Sequence, residues 1–313
     1  MLAYSSRVTM WADRMSMPVI VAPMTAVSTL DLVISASRRG LIGSFPTHNA
    51  ASAGELDDWL HLLSADLDAT AAPIAPNLVV HGSNSRRDED LAVLIRHRVE
   101  LVITSVGSPA PVVGPLHDAG ARVFADVASL KQASRAVAAG ADGLVLLSAG
   151  AGGQTGWANP FAFVRAVREI FDGPVVLAGG ISDGQSVLAA EVLGADLVYL
   201  GTKFIATPQS GASDDYRRAL VSATLDDVKL SDRVGGIPAS LLACWLDANA
   251  SPNGAATGSF AQDRLLTNRN AWSAGHSVSG VHEIADAGVV IDELVADYER
   301  AREGLQRGVR GGQ

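Results

Sequence analysis

Ser148-Ala149-Gly150-Ala151-Gly152-Gly153-Gln154-Thr155-Gly156, Ala178-Gly179-Gly180-Ile181 and Gly201-Thr202-Lys203-Phe204 are the stretches whose reading decides the fold. Each follows a short apolar run: Gly143 to Leu147, Val175 to Leu177, and Leu197 to Leu200. Glycines at such strand ends let backbone amides close on an anion, and a following helix adds its positive N-terminal dipole. Two such loops side by side, after the last strands of a strand–helix repeat, are where a (β/α)8 barrel holds phosphate. A doubly wound sheet puts its phosphate-binding glycines after the first strand, whereas here they come late. The first inference is a phosphate-bearing cofactor.

Working outward, strand-like runs alternate with helical stretches. Pro18–Val21, Leu41–Ser44, Pro73–Val80, Leu101–Thr104 and Arg122–Ala125 supply the first five strands. The glycine loops close the sixth, seventh and eighth. Ser28 or Thr29 caps the first helix, and Pro109 and Pro160 open two later ones. Eight such units with short connections describe an α/β protein of the (β/α)8 TIM-barrel class, with a small helical cap inserted after the eighth strand. The expected division is a barrel over 1–213, a mostly helical cap over 214–270, and a return segment with a final helix over 271–313. That helix spans about Asp292 to Arg307, packs back on the barrel, and leaves a frayed tail from Gly308.

The composition of this 313-residue chain is 48% hydrophobic and 18% charged, which suits strands buried on both sides. The net charge of −9 argues against a nucleic-acid surface. No uninterrupted apolar stretch approaches the roughly 20 residues that span a bilayer, and the N-terminus lacks the order of a secretion signal. A cytoplasmic protein without membrane or nucleic-acid partners is expected, acting on a small molecule; a flat apolar patch on the cap, if present, would allow a homodimer. The single cysteine, Cys244, sits in an apolar run and reads as a buried, inert thiol.

Chemistry-bearing residues cluster at the expected mouth of the barrel. Asn77, Val79 and His81 alternate on the third strand, and an amide and an imidazole at an inner strand end need partners. Ser83, Asn84 and Arg86 follow in a polar loop, where solvation is the simpler fate for Arg86. Ala22-Pro23-Met24 fits equally a contact to a flat ring and a plain apolar strand end. Trp272-Ser273-Ala274-Gly275-His276 fits equally a cover over such a ring and a turn anchored by tryptophan. Of seven histidines, only His48, His81 and His276 fall near the mouth; His61, His97 and His117 sit on helices and read as surface residues. No His-x-x-x-His spacing beside an acid is present, so no metal site is expected.

Together these segments resemble the nitronate monooxygenase family, formerly called 2-nitropropane dioxygenases, over Pro18 to about Arg302. The resemblance rests on Ala22-Pro23-Met24, Asn77, Thr104-Ser105-Val106-Gly107, Gly152-Gly153, Ala178-Gly179-Gly180-Ile181, Gly201-Thr202-Lys203-Phe204 and Trp272-Ser273-Ala274-Gly275. It implies an FMN-dependent (β/α)8 barrel. On this reading Asn77 hydrogen-bonds the flavin and Ala22, Pro23 and Met24 pass beside the isoalloxazine. Ser105 and Ala178 join the cofactor-binding set, and Gly179, Gly180, Gly201 and Thr202 hold the phosphate. Gly152 and Gly153 run along the ring, with Gly275 and His276 on its other side.

One departure bears on mechanism. The family's sixth-strand loop usually reads Glu-Ala-Gly-Gly-His, its histidine being the proposed base, but here it is Gly150-Ala151-Gly152-Gly153-Gln154. An amide donates hydrogen bonds to an anion but takes no proton near neutral pH. The catalytic pair expected is therefore Gln154 with His81 as substitute, in a monooxygenase that oxidises a nitronate with O2. The alternatives are an NAD(P)H-dependent FMN reductase of a quinone or enoyl thioester, a flavin-binding protein that has lost turnover, and a flavin-free isomerase.

Overall fold

The computed structural model describes residues 7–249 and 258–310. Eight parallel strands close a barrel: β1 (Val19–Val21), β2 (Ile42–Pro46), β3 (Ile74–Val79), β4 (Leu101–Ser105), β5 (Arg122–Val127), β6 (Gly143–Leu147), β8 (Val175–Ala178) and β9 (Leu197–Leu200). The remaining strands, β7 (Gly153–Gln154), β10 (Val228–Ser231) and β11 (Ala239–Leu242), form a separate antiparallel sheet at the mouth. Helices α1 (Leu30–Arg38), α2 (Ala53–Asp66), α3 (Arg87–Arg96), α4 (Ala110–Asp118), α5 (Leu130–Ala138), α6 (Pro160–Arg168) and α7 (Gly184–Leu193) cover the outside, and α8 (Thr202–Ile205) follows β9. Thr29, one of the two expected caps of the first helix, and Ser52 and Ser129 cap α1, α2 and α5 by accepting backbone N–H bonds.

Parity along the strands divides the core. Alternate residues Ile20, Ile42, Leu101, Ile103, Phe124, Val145, Val176 and Leu197 fill the barrel, and Trp11 from an N-terminal 3-10 turn plugs its lower end against Phe124, ring centroids 6.1 Å apart. The other parity packs outward under the helices, with Leu56, Leu60 and Leu63 of α2 burying one face.

After β9 come α9 (Asp214–Ser222), α10 (Ala243–Ala248), α11 (Gln262–Thr267) and α12 (Ala287–Arg310). The expected helical cap thus also contains β10 and β11, whose four-residue runs are too short for periodicity to separate strand from helix. The turn-rich stretch expected within Asn249–Gly258 falls largely outside the described residues. The final helix starts earlier than expected and continues through Gly308–Arg310, where a frayed tail was expected; 311–313 are not described. It packs against α7, where Asp297 accepts from the Gly184 amide at 2.8 Å and the Tyr298 hydroxyl donates to Glu191 at 2.5 Å.

Two sequence readings are corrected. Cys244 is exposed, because α10 turns Trp245 into the core and its neighbour outward. Arg86 is not simply solvated: it is half-buried, donating to the Ala50 carbonyl at 2.8 Å and to Asp90 at 2.9 Å. The helical histidines His61 and His97 come together with Asp57. His97 Nε2 lies 2.8 Å and Arg96 2.5 Å from the same carboxylate oxygen, a charge network on the outer helices that linear spacing hides because His97 follows α3.

Candidate active site

The C-terminal ends of the barrel strands open into a cleft of about 1370 Å³, its mouth included. Ala22, Pro23, Met24, Asn77, Ser105, Gly152, Gly153, Gln154, Ala178, Gly179, Gly180, Gly201 and Thr202 all border it. His81, Gly275 and His276 do not.

The floor is polar where the barrel below is apolar. Ser105 donates to the Asn77 carbonyl oxygen at 3.0 Å, which fixes the amide and leaves its Nδ2 without a partner. Asp126 Oδ1 and the Tyr199 hydroxyl are likewise buried and unpartnered, and both side chains border the cleft. Orphaned buried polar atoms cost about 1–3 kcal/mol each, and three around one floor mark a place built for a ligand. Asp126 is half-buried, with Oδ1 closed off and the rest of the side chain facing the cleft. Burial pushes its carboxyl up to about 8. Burial first, then the nearby Asp126, push the Tyr199 hydroxyl well above its ordinary range.

Sequence reading missed both groups. It ended the fifth strand at Ala125, whereas β5 runs to Val127 and its parity points Asp126 inward with Phe124. Tyr199 stood in plain view, two positions after the inward Leu197.

One wall is made of glycine turns. Gly179 and Gly180 have φ of 120° and 74°, a left-handed pair open to glycine. A Cβ on Gly180 would meet no protein atom within 4 Å, so this exposed turn opens on free space at the cleft's edge. The Thr202 hydroxyl is already engaged, accepting from the Gly275 amide at 3.0 Å.

The opposite rim joins three distant segments. Gln154 and Gly153 on β7 pair with Ala239 and Ser240 of β11, and Leu241 bridges to Ser273. Gly275 is extended, yet a Cβ there would lie 2.6 Å from the Gly150 carbonyl and 2.9 Å from the Gly152 nitrogen. These glycines therefore serve close backbone approach. His276 is exposed, its amide donating to Gly150 at 2.9 Å. Tyr216 and Trp272 stack with centroids 5.3 Å apart, and the Tyr216 hydroxyl donates to the Ser273 carbonyl. The Gln154 amide borders the cleft and makes no hydrogen bond to the described protein.

His81 turns away, with Nδ1 2.8 Å from the Ser83 hydroxyl and its ring edge-on to Phe260. His48 is the histidine in the cleft wall. Its Nε2 lies 3.0 Å from the Thr25 hydroxyl, and its Nδ1 is buried without a partner. Burial, then the positive charges of Arg269 and Arg86, pull its pKa down to about 4, so the imidazole is neutral at pH 7.

A parallel barrel with a polar-floored cleft at its C-terminal face has the architecture of an enzyme whose site lies at that face. A profile of the nitronate monooxygenase family matches residues 77–293, and the chain belongs to that family of flavin-dependent oxidoreductases. The nitronate monooxygenase of Paraburkholderia phytofirmans is 28% identical, the match covering 90% of this chain and 91% of that protein. A Mycobacterium tuberculosis (3aS,4S,5R,7aS)-5-hydroxy-7a-methyl-1-oxo-octahydro-1H-indene-4-carboxyl-CoA dehydrogenase is 27% identical, over 72% of this chain and 62% of its own length. The solved structure of FabK from Thermotoga maritima superposes with a TM-score of 0.82 at 25% identity, covering 98% of this chain and 99% of that one. Among the described residues no helix is long and apolar enough to cross a membrane.

Proposed function

We propose that this chain binds FMN and oxidises a small nitronate with O2. The observation that carries the reading is the cleft itself: a floor with three unpartnered polar atoms, an open glycine turn to one side, and an amide in place of a base at the rim. Asn77, Asp126 and Tyr199 fit a flat heteroaromatic ring that carries hydrogen-bond acceptors, and Gly179, Gly180 and Gly201 fit its phosphate. When bound, the flavin would supply the redox chemistry between the substrate carbanion and oxygen.

The protein's own share follows from its donors. Gln154 can donate a hydrogen bond to a nitronate oxygen but cannot take a proton from a neutral nitroalkane. The substrate therefore arrives as the anion. Arg269 at the rim supplies positive charge beside His48. His48, kept neutral, borders the cleft with an unpartnered Nδ1 that can take part in a hydrogen bond, while His81 is engaged with Ser83.

The test is an absorption spectrum of the purified protein, followed in an anaerobic cuvette by NADPH and then propyl-2-nitronate. Bleaching by nitronate and not by NADPH supports the proposal. A colourless protein that takes up no FMN overturns it. A reductase reading draws on the indene-carboxyl-CoA dehydrogenase relative, and rapid bleaching by NADPH alone would move the assignment there. Gln154→His should raise kcat/KM on neutral nitroalkanes by at least tenfold more than on nitronates; equal effects would sink the argument about the missing base.

A further inference from the structure

The floor's three unpartnered groups come from three strands: Asn77 from β3, Asp126 from β5 and Tyr199 from β9. Asn77 Nδ2 and the Tyr199 hydroxyl are donors. With its proton, the Asp126 carboxyl is a third. Resting on the flavin reading above, we propose that Asp126 holds the flavin as a protonated acid, its carboxyl donating a hydrogen bond to an acceptor on the isoalloxazine. FMN binding is then coupled to one proton kept on this side chain.

The surroundings leave the carboxylate form without support. Residues beside Asp126 on β4 are Thr104 and Ser105, and on β6 they are Val145 and Leu147. Across the barrel the titratable neighbour is Tyr199, itself an acid held neutral. Arg122, the cation on β5, lies at the strand's opposite end and pairs with Asp142 at 2.8 Å. His48 borders the same cleft, but the charges that act on it are Arg269 and Arg86. Among the described residues no cation compensates a charge on Asp126, whose shift has burial alone as its cause. A flat ring over the cleft would remove the water that now reaches the side chain, raising the cost of ionisation further. An all-donor floor then meets the acceptors of an oxidised flavin.

The sign follows from linkage. If the bound state keeps the proton and the free protein loses it as pH rises, each pH unit above the free group's pKa weakens binding up to about tenfold. The probe is FMN itself, its dissociation constant read from fluorescence quenching with flavin-stripped protein between pH 7 and 9. The expected result is at least about a tenfold weakening for the wild type and none for Asp126→Asn, which keeps a donor that does not titrate. A flat wild-type profile, or an equal slope in the variant, overturns the role of Asp126 and leaves the flavin reading standing. Failure of both proteins to bind FMN at any pH overturns both. Should the variant not fold, calorimetry of wild type and FMN at pH 8.5 in two buffers of different ionisation heat decides. Net uptake of a substantial fraction of a proton per FMN supports the proposal, and none overturns it.

Discussion

The two ends of the barrel interior are built by the same strands two residues apart, and they obey opposite rules. Below, Ile20, Ile42, Leu101, Phe124 and Leu197 pack without a polar atom, and Gly143 is glycine because the Phe124 ring would lie 2.5 Å from its Cβ. Above, Asn77, Asp126 and Tyr199 keep polar atoms that the protein does not satisfy. One end converts burial into stability. On the proposed reading, the other gives stability up to hold a ligand.

Substitutions at the two ends should separate these roles. Phe124→Ala, at the lower end, removes a fully buried ring that Trp11 and Gly143 enclose, and should destabilise by about 3–5 kcal/mol. A urea midpoint shifted by that amount, with FMN affinity preserved in the fraction that folds, fits the division. At the rim, Gly275→Ala has no backbone strain to relieve, so its whole effect is the collision with the Gly150 carbonyl. It should cost about 1–3 kcal/mol as the loops shift and loosen FMN more than Phe124→Ala does; unchanged flavin affinity would show that the close approach of 150–152 to 275 does not shape the cleft. The smallest effect is expected at the floor. Tyr199→Phe removes an orphaned hydroxyl and should stabilise the flavin-free protein by no more than the ~1–3 kcal/mol such an orphan costs while weakening FMN. A thermal melt of the stripped variant that falls rather than rises would mean the hydroxyl is satisfied in the protein.

How much the sequence shows also differs between these regions. The order of eight strand–helix units was legible because apolar runs and caps such as Thr29 and Ser129 are local signals. The glycine turns were legible because positive φ restricts residue type at Gly179 and Gly180. Asp126 was hidden by a strand boundary placed two residues short, since a lone acid after an apolar run reads as the start of a loop. His81 was expected in the cleft from its parity with Asn77, but β3 ends at Val79 and parity has no meaning beyond a strand's end. His48 was seen near the mouth, yet nothing local distinguishes a histidine with an unpartnered nitrogen from a satisfied one. The contact of Gly275 with Gly150 and Gly152 joins residues more than 120 positions apart, and no spacing rule reaches that far.

The rim has a consequence for how the molecule matures. Gln154 lies on a two-residue strand whose partner is β11, and β11 is tied in turn to Ser273. All eight barrel strands have been synthesised by Leu200, but the wall that presents Gln154 waits for the segment around residue 275 to dock. A nascent chain can therefore close its barrel well before it owns a finished cleft.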